Sequence, residues 1–160
     1  MIHHVLVPTD GSEYAERAVR FSAQVADRRQ QAEVLVIYVH LRMQPASQGG
    51  ASVQVPGQPI QEKTSLDVET DDDELTHAKG IVDFAVSEIK SLVTSPDVTV
   101  TGRVVVDNRV DDGVLKVADE TKADIIVMGT RGLSTLRGAI MGSVSHALIE
   151  KAKCPVLIVK

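Results

Sequence analysis

The sequence is poor in the residues that build several common protein classes. It has one cysteine, Cys154, which excludes an internal disulfide and a cysteine cluster for a metal. Tryptophan is absent and aromatic residues make up only 2% of the 160 positions. A core must therefore come from Val, Ile, Leu and Ala, a mixture suited to parallel strands covered on both faces. No uninterrupted apolar run reaches the roughly 20 residues of a membrane span. The opening MIHHVLVPTDGS lacks the pattern of a signal peptide. Positive charge is outnumbered, with 17 Lys and Arg against 22 Asp and Glu, and the net charge of -5 argues against nucleic acid or an anionic membrane as the main partner. His3, His4, His40, His77 and His146 show no pairing at metal-ligand spacing. With 43% hydrophobic residues, the chain reads as one globular domain over residues 1–160, with a cytoplasmic location expected.

The hydrophobic pattern alternates between strands and helices. Ile2 to Val7 reads as a strand that stops at Pro8, and Thr9-Asp10-Gly11-Ser12 is turn chemistry with Ser12 placed to cap a helix. Ala15, Ala18, Val19, Ser22, Val25 and Ala26 fall on one face of that helix, which should fade around Asp27 to Gln31. Glu33 to Val39 is a buried strand. The period then dissolves over about 40–71, where prolines, glycines, Gln and Ser predict a long flexible loop. It reads equally well as a lid or as a tolerated insertion. Asp71 to Glu74 is expected to open the next helix, with Leu75, Ala78, Val82, Ala85, Ile89 and Leu92 inside. Val98 to Val106 is a strand with a bulge or bend at Gly102, Asp107 to Asp112 a polar turn, and Val114, Val117, Ala118 and Thr121 one face of a short helix. Ile125 to Met128, a helix from Ser143 to near Lys153, and Val156 to Val159 complete the chain. Such alternation predicts an α/β fold: an open five-stranded parallel sheet with helices on both faces. Ligands in such folds sit outside the carboxyl ends of the strands, where the strand order reverses.

Two loops fall there, Thr9 to Ser12 and Gly129 to Gly142. A strand, a glycine loop and a helix start, in that order, suit an anion: glycines let backbone N–H groups approach it, and the helix end points unpaired donors at it. The loop has no Gly-Lys-Ser/Thr ending, which excludes a P-loop, and no G-x-G-x-x-G follows the first strand, which disfavours a dinucleotide site. What is there is Gly129-x2-Gly132-x9-Gly142-Ser143.

That spacing, with LVPTDGS at the start, VMGTRG at the end of the fourth strand, GSVS at the last helix and CPVLIVK at the close, resembles the ATP-binding branch of the universal stress protein family. The resemblance covers the chain except His40 to Thr70. It implies a Rossmann-like sheet of order 3-2-1-4-5 and a bound ATP with Mg²⁺ or Mn²⁺. The backbone at Gly129, Gly132, Gly142, Ser143 and Val144 would receive the triphosphate, and Ser143 and Ser145 offer hydroxyl donors. Asp10 would take the ribose hydroxyls or help hold the metal. Pro8 and Thr9 would wall the pocket, Val39 would lie against the adenine edge and Met128 below the base or sugar. Arg131 would pair with phosphate oxygens, while Arg137 is expected to be solvated. Asp10 could instead make only an Asx-turn, and Ser143 only a helix N-cap. Asp10 is the one acid visible in the site, and there is no Walker-type lysine. A regulatory nucleotide-binding protein with slow or no hydrolysis is therefore expected, with no catalytic residue assigned. The alternative is a Mg-dependent ATPase or nucleotide-dependent transferase using Asp10. The resemblance and the apolar final strand both point to a homodimer through that strand, with a further protein partner reading the nucleotide state.

Overall fold

The computed structural model describes residues 2–27, 31–42, 67–133 and 141–160. Strands and helices alternate as β1 (His4–Pro8), α1 (Glu13–Asp27), β2 (Glu33–Leu41), α2 (Asp67–Leu92), β3 (Thr99–Asp107), α3 (Val110–Thr121), β4 (Ile125–Gly129), α4 (Ser143–Lys151) and β5 (Val156–Val159). The strands form one parallel sheet of order β3-β2-β1-β4-β5, as expected. None of the described helices is long and apolar enough to cross a membrane.

Side-chain alternation along the strands builds a separate core on each face. Val5 and Val7 of β1 and Val34 and Val36 of β2 pack with Ala18, Val19 and Ala23 of α1 and Val82, Ala85 and Ile89 of α2. Leu6, Ile37 and Val39 point the other way, to Val114 and Val117 of α3 and Leu148 of α4. Burying each of the Val, Leu and Ile side chains contributes about 1.5–3 kcal/mol against the entropy of ordering the chain. Neither phenylalanine takes part: Phe21 is 39% exposed and Phe84 54%.

Ser12 caps α1 as its position suggests, its Oγ accepting the Ala15 N–H at 3.3 Å. Other boundaries move. Asp71 to Glu74 does not open α2, which starts at Asp67 and places that acidic run in the second turn. β2 continues to Leu41, because β3 supplies pairing partners as far as Asp107. Residues 43–66, the body of the expected loop, lie outside the described residues. There is no bulge at Gly102. The ladder runs without interruption from Glu33 opposite Thr99 to Leu41 opposite Asp107. Gly102 is needed because α2 crosses there: a Cβ would lie 2.4 Å from Val82 Cγ1 and 2.8 Å from Val86 Cγ2.

The predicted polar turn at Asp107 to Asp112 shrinks to Asn108 and Arg109, since α3 begins at Val110. Asp111, buried in the first turn of α3, accepts from Arg109 Nε at 3.1 Å, from Arg109 Nη2 at 3.0 Å and from Lys151 Nζ at 3.2 Å. This ties the start of α3 to the last turn of α4. The Arg109 hydrogen bonds, helped by Lys151, hold the Asp111 carboxyl below its ordinary value despite burial. A depressed carboxyl stabilises the fold fully above the unfolded aspartate value of about 3.9, and that contribution disappears as pH falls through the lower folded value. Both cations are half in water, so Asp111→Asn should cost about 1 kcal/mol at neutral pH. Urea unfolding should show a gap from wild type that is flat between about pH 7 and pH 5 and closes below about pH 4. A gap that widens on acidification would contradict the assignment.

Candidate functional site

At the carboxyl ends of β1, β2 and β4 a cleft of about 940 Å³ opens. β1 and β4 are neighbours from which the chain departs in opposite directions, so this is the switch point of the sheet. Pro8, Thr9, Asp10, Val39, Met128, Gly129, Arg131, Gly132, Gly142, Ser143, Val144 and Ser145, all singled out from sequence, line this one cleft. Arg137 and Gly138 lie outside the described residues.

Asp10 joins the two loops directly. Its Oδ1 accepts the Ser12 N–H at 3.0 Å, so the Asx-turn is present. Its Oδ2 accepts the Leu133 N–H at 2.9 Å, across 123 residues of chain. Ser12 Oγ adds a long contact to Arg131 O at 3.5 Å. Gly11 makes the turn possible with φ of +75°, in the left-handed region that favours glycine.

The motif glycines serve different ends. A Cβ on Gly132 would sit 2.3 Å from Asp10 Oδ2, so this glycine admits the carboxylate. A Cβ on Gly129 would sit 2.6 Å from the Tyr14 carbonyl carbon, so this one admits the backbone of α1. At Gly142 the nearest atom, Thr130 O, would be 3.4 Å away, an ordinary contact. The protein's own packing does not require a glycine there.

Gly142, not Ser143, is the N-cap of α4, with φ −74° and ψ 157° and no side-chain cap. The reading of Ser143 as cap is thereby corrected: it is the first helical residue, with its side chain exposed. The first turn of α4 is closed by the His146 N–H to Gly142 O bond at 3.0 Å. Helix geometry therefore leaves the N–H groups of Ser143, Val144 and Ser145 without a partner inside the helix, at the positive end of its dipole. Ser145 needs a second correction. Its hydroxyl is buried and lies 3.2 Å from Gly129 O and 3.0 Å from Thr130 O, to which it donates. It pins α4 to the end of β4, and only its N–H remains for a ligand.

Sequence reasoning missed the opposite wall. Tyr38, His40, Asp73, Glu74 and His77 also line the cleft. Asp10 is thus not its only acid, because α2 starts early enough to bring two carboxylates over the ends of the strands. His40 is buried, its Nε2 3.9 Å from Glu74 Oε2. Burial first, then the Asp10 and Glu74 carboxylates, raise the Tyr38 hydroxyl above its ordinary value. The period-2 alternation of β2 already set Tyr38 and His40 on the α2 face; what was not legible was that α2 reaches them. Among the described residues no group of three or more His, Cys, Asp or Glu gathers at metal-binding geometry.

The Asp10 tie can be tested by a double-mutant cycle. Gly132→Ala should destabilise the fold by about 1–3 kcal/mol, because it displaces the carboxylate that satisfies the Leu133 N–H. In an Asp10→Ala background the same change should cost much less. Equal costs in both backgrounds, read by urea unfolding, would show that the glycine is not there for Asp10.

The universal stress protein family model matches residues 1–160. A universal stress protein of Methanocaldococcus jannaschii is 30% identical over 156 residues, covering 98% of this chain and 81% of that protein. One from Mycobacterium tuberculosis is 31% identical over 161 residues, covering 97% and 94%. Among solved structures, a universal stress protein in complex with cAMP matches with a TM-score of 0.67 at 25% identity, covering 99% of this chain and 96% of that one. An Archaeoglobus fulgidus universal stress protein in complex with dAMP matches with a TM-score of 0.64 at 25% identity, covering 100% and 98%. With the sheet order, the paired loops and the open helix end already in place, the chain belongs to the universal stress protein family.

Proposed function

We propose that this protein binds an adenine nucleotide, ATP with a divalent cation, in the cleft at the switch point, and that it acts by occupancy rather than by turnover. The observation that carries this reading is the open N-terminus of α4. It lines the cleft with three backbone donors and a cap residue that has no side chain. Phosphates would sit there, with Arg131 beside them. Asp73 and Glu74 at the other wall repel phosphate and so set the polarity of the ligand. The base would lie between Val39 and Met128, both largely buried, with Pro8 and Thr9 as wall. Each Asp10 oxygen already accepts one N–H, but a carboxylate offers about four acceptor sites. Ribose hydroxyls can therefore add without breaking the tie. Mg²⁺ or Mn²⁺ would be held chiefly by phosphate oxygens, with Asp10 the nearest carboxylate to the glycine loop. The two relatives solved with cAMP and dAMP support the adenine class.

Gly142→Asp separates this reading from a purely structural loop. Aspartate is among the best N-caps, so the variant should be as stable as wild type or more stable. Its carboxylate would occupy the anion position, and Mg-ATP affinity by calorimetry should fall at least about 100-fold, some 2.7 kcal/mol. Wild type should hold one nucleotide per chain with negligible phosphate release. Unchanged ATP affinity in the variant would remove α4 from the site, and rapid turnover lost in Asp10→Ala would favour the ATPase or transferase reading.

The proposal includes a homodimer through β5, whose occupancy-dependent surface a protein partner would read. β5 is an edge strand with half-buried residues. The bonds from Ile126 N to Pro155 O and from Thr130 N to Val159 O turn the backbone of alternate residues toward β4, which leaves Val156 and Ile158 facing outward. An unpaired apolar edge of this kind is removed by pairing with a second chain. Ile158→Pro deletes one outward N–H and spares the bonds to β4. Light scattering should find a folded monomer; a dimer of unchanged stability would place the interface elsewhere.

A further inference from the structure

A second concavity lies between α1 and α2, beside the cleft and sharing Thr9 and His77 with it. Its volume of about 280 Å³ is just below the range of drug-sized sites, so it suits a small ligand. The wall is apolar, from Val19, Ile81, Phe84 and Ala85.

Three features of this groove have no explanation in the packing of the protein. Gly80 sits inside α2, where glycine is destabilising relative to alanine, yet a Cβ there would meet nothing within 4 Å. The Phe84 ring is 54% exposed in a chain with only two phenylalanines. Glu88 Oε2 is buried and has no hydrogen-bond partner, and among the described residues no other buried side-chain polar atom is left in that state. Its sister Oε1 accepts from Arg20 Nε at 2.9 Å. Glu16 also lines the groove and has no cation at ion-pair distance among the described residues.

We propose that this groove binds a free primary alkylamine in its ammonium form. The chain of the amine would lie on Val19, Ile81 and Phe84, filling the space that Gly80 leaves. The ammonium would lie between Glu16 and Glu88, which together outnumber the single guanidinium of Arg20. The broad terminal torsion of Glu88 moves both oxygens together, and the carboxylate can settle with one oxygen on the ammonium and the other on the Arg20 guanidinium. A charged donor to a carboxylate is the stronger class of hydrogen bond, so the cation is preferred over a neutral alcohol of the same length.

The test is a titration of the ¹⁵N-labelled full chain with n-hexylammonium, n-hexanol and hexanoate, followed by amide shifts. Hexylammonium should saturate shifts at Ile81, Phe84 and Ala85 with a Kd at least about 10-fold below that of hexanol, and hexanoate should move nothing. Glu88→Gln should bring hexylammonium to the hexanol value. Gly80→Leu, whose side chain enters open space, should keep a folded spectrum and lose binding, which separates the groove from the acidic wall of the nucleotide cleft. Hexanol binding as tightly as hexylammonium, or full binding in Gly80→Leu, overturns the proposal. Tighter binding of Nα-acetyl-lysine methylamide overturns it in favour of a partner's lysine side chain.

Discussion

The Asp10 carboxylate bridges two backbone N–H groups that belong to opposite ends of the chain, Ser12 after the first strand and Leu133 after the fourth. β1 and β4 pair directly only at Val5 with Ile125 and Leu6 with Ile126. The next ladder bond would need an N–H that Pro8 lacks, and past it the two chains leave for separate loops that both line the cleft. The carboxylate holds the two loops at a fixed distance across that gap. It also holds the start of the glycine loop at Leu133, beside Gly132, where the acid occupies the space a side chain would need. The same residue therefore acts as scaffold and as a candidate ligand contact. A carboxylate can do both because it has more acceptor sites than the protein uses.

α4 depends on a second set of ties. Ser145 anchors its first turn to the carbonyls that end β4, and Lys151 anchors its last turn to Asp111 on α3. Between these the helix is fixed with its N-terminus on the cleft and its cap position bare. A side-chain cap at Gly142 would satisfy one of the donors and stabilise the protein. The chain forgoes that stability and keeps the donors available, a trade expected where a site rather than a fold is being served.

α2 builds the wall of the cleft opposite the glycine loop. It starts at Asp67 and brings Asp73, Glu74 and His77 over the ends of the strands. It also packs on Gly102 of β3, on the Gly11 turn through Ile81, and on α1 through Val82 and Ala85. One helix thereby borders both the cleft at the switch point and the groove between α1 and α2. Arg20 with Glu88, and Asp27 with the backbone of Thr94 and Ser95, fasten it to α1 at the far end.

The sequence by itself determined the alternation of strands and helices, because period 2 and period 3.6 are properties of local covalent geometry. Asp10 and the glycine loop were legible as well, since turn residues and glycine spacing at strand ends carry a chemical reason without knowledge of their neighbours, whereas Pro8, Thr9, Val39, Met128 and Arg131 entered through the family resemblance. Only the tertiary structure decided what each glycine is for. Gly129 and Gly132 look alike in sequence, yet one meets the backbone of Tyr14 and the other the carboxylate of Asp10. It also decided that Ser145 spends its hydroxyl inward, that Gly102 faces a crossing helix rather than a bulge, and that Asp73 and Glu74 line the cleft. Each of these depends on contacts between residues far apart in the chain, and local pattern holds no information about which distant atom fills a given space.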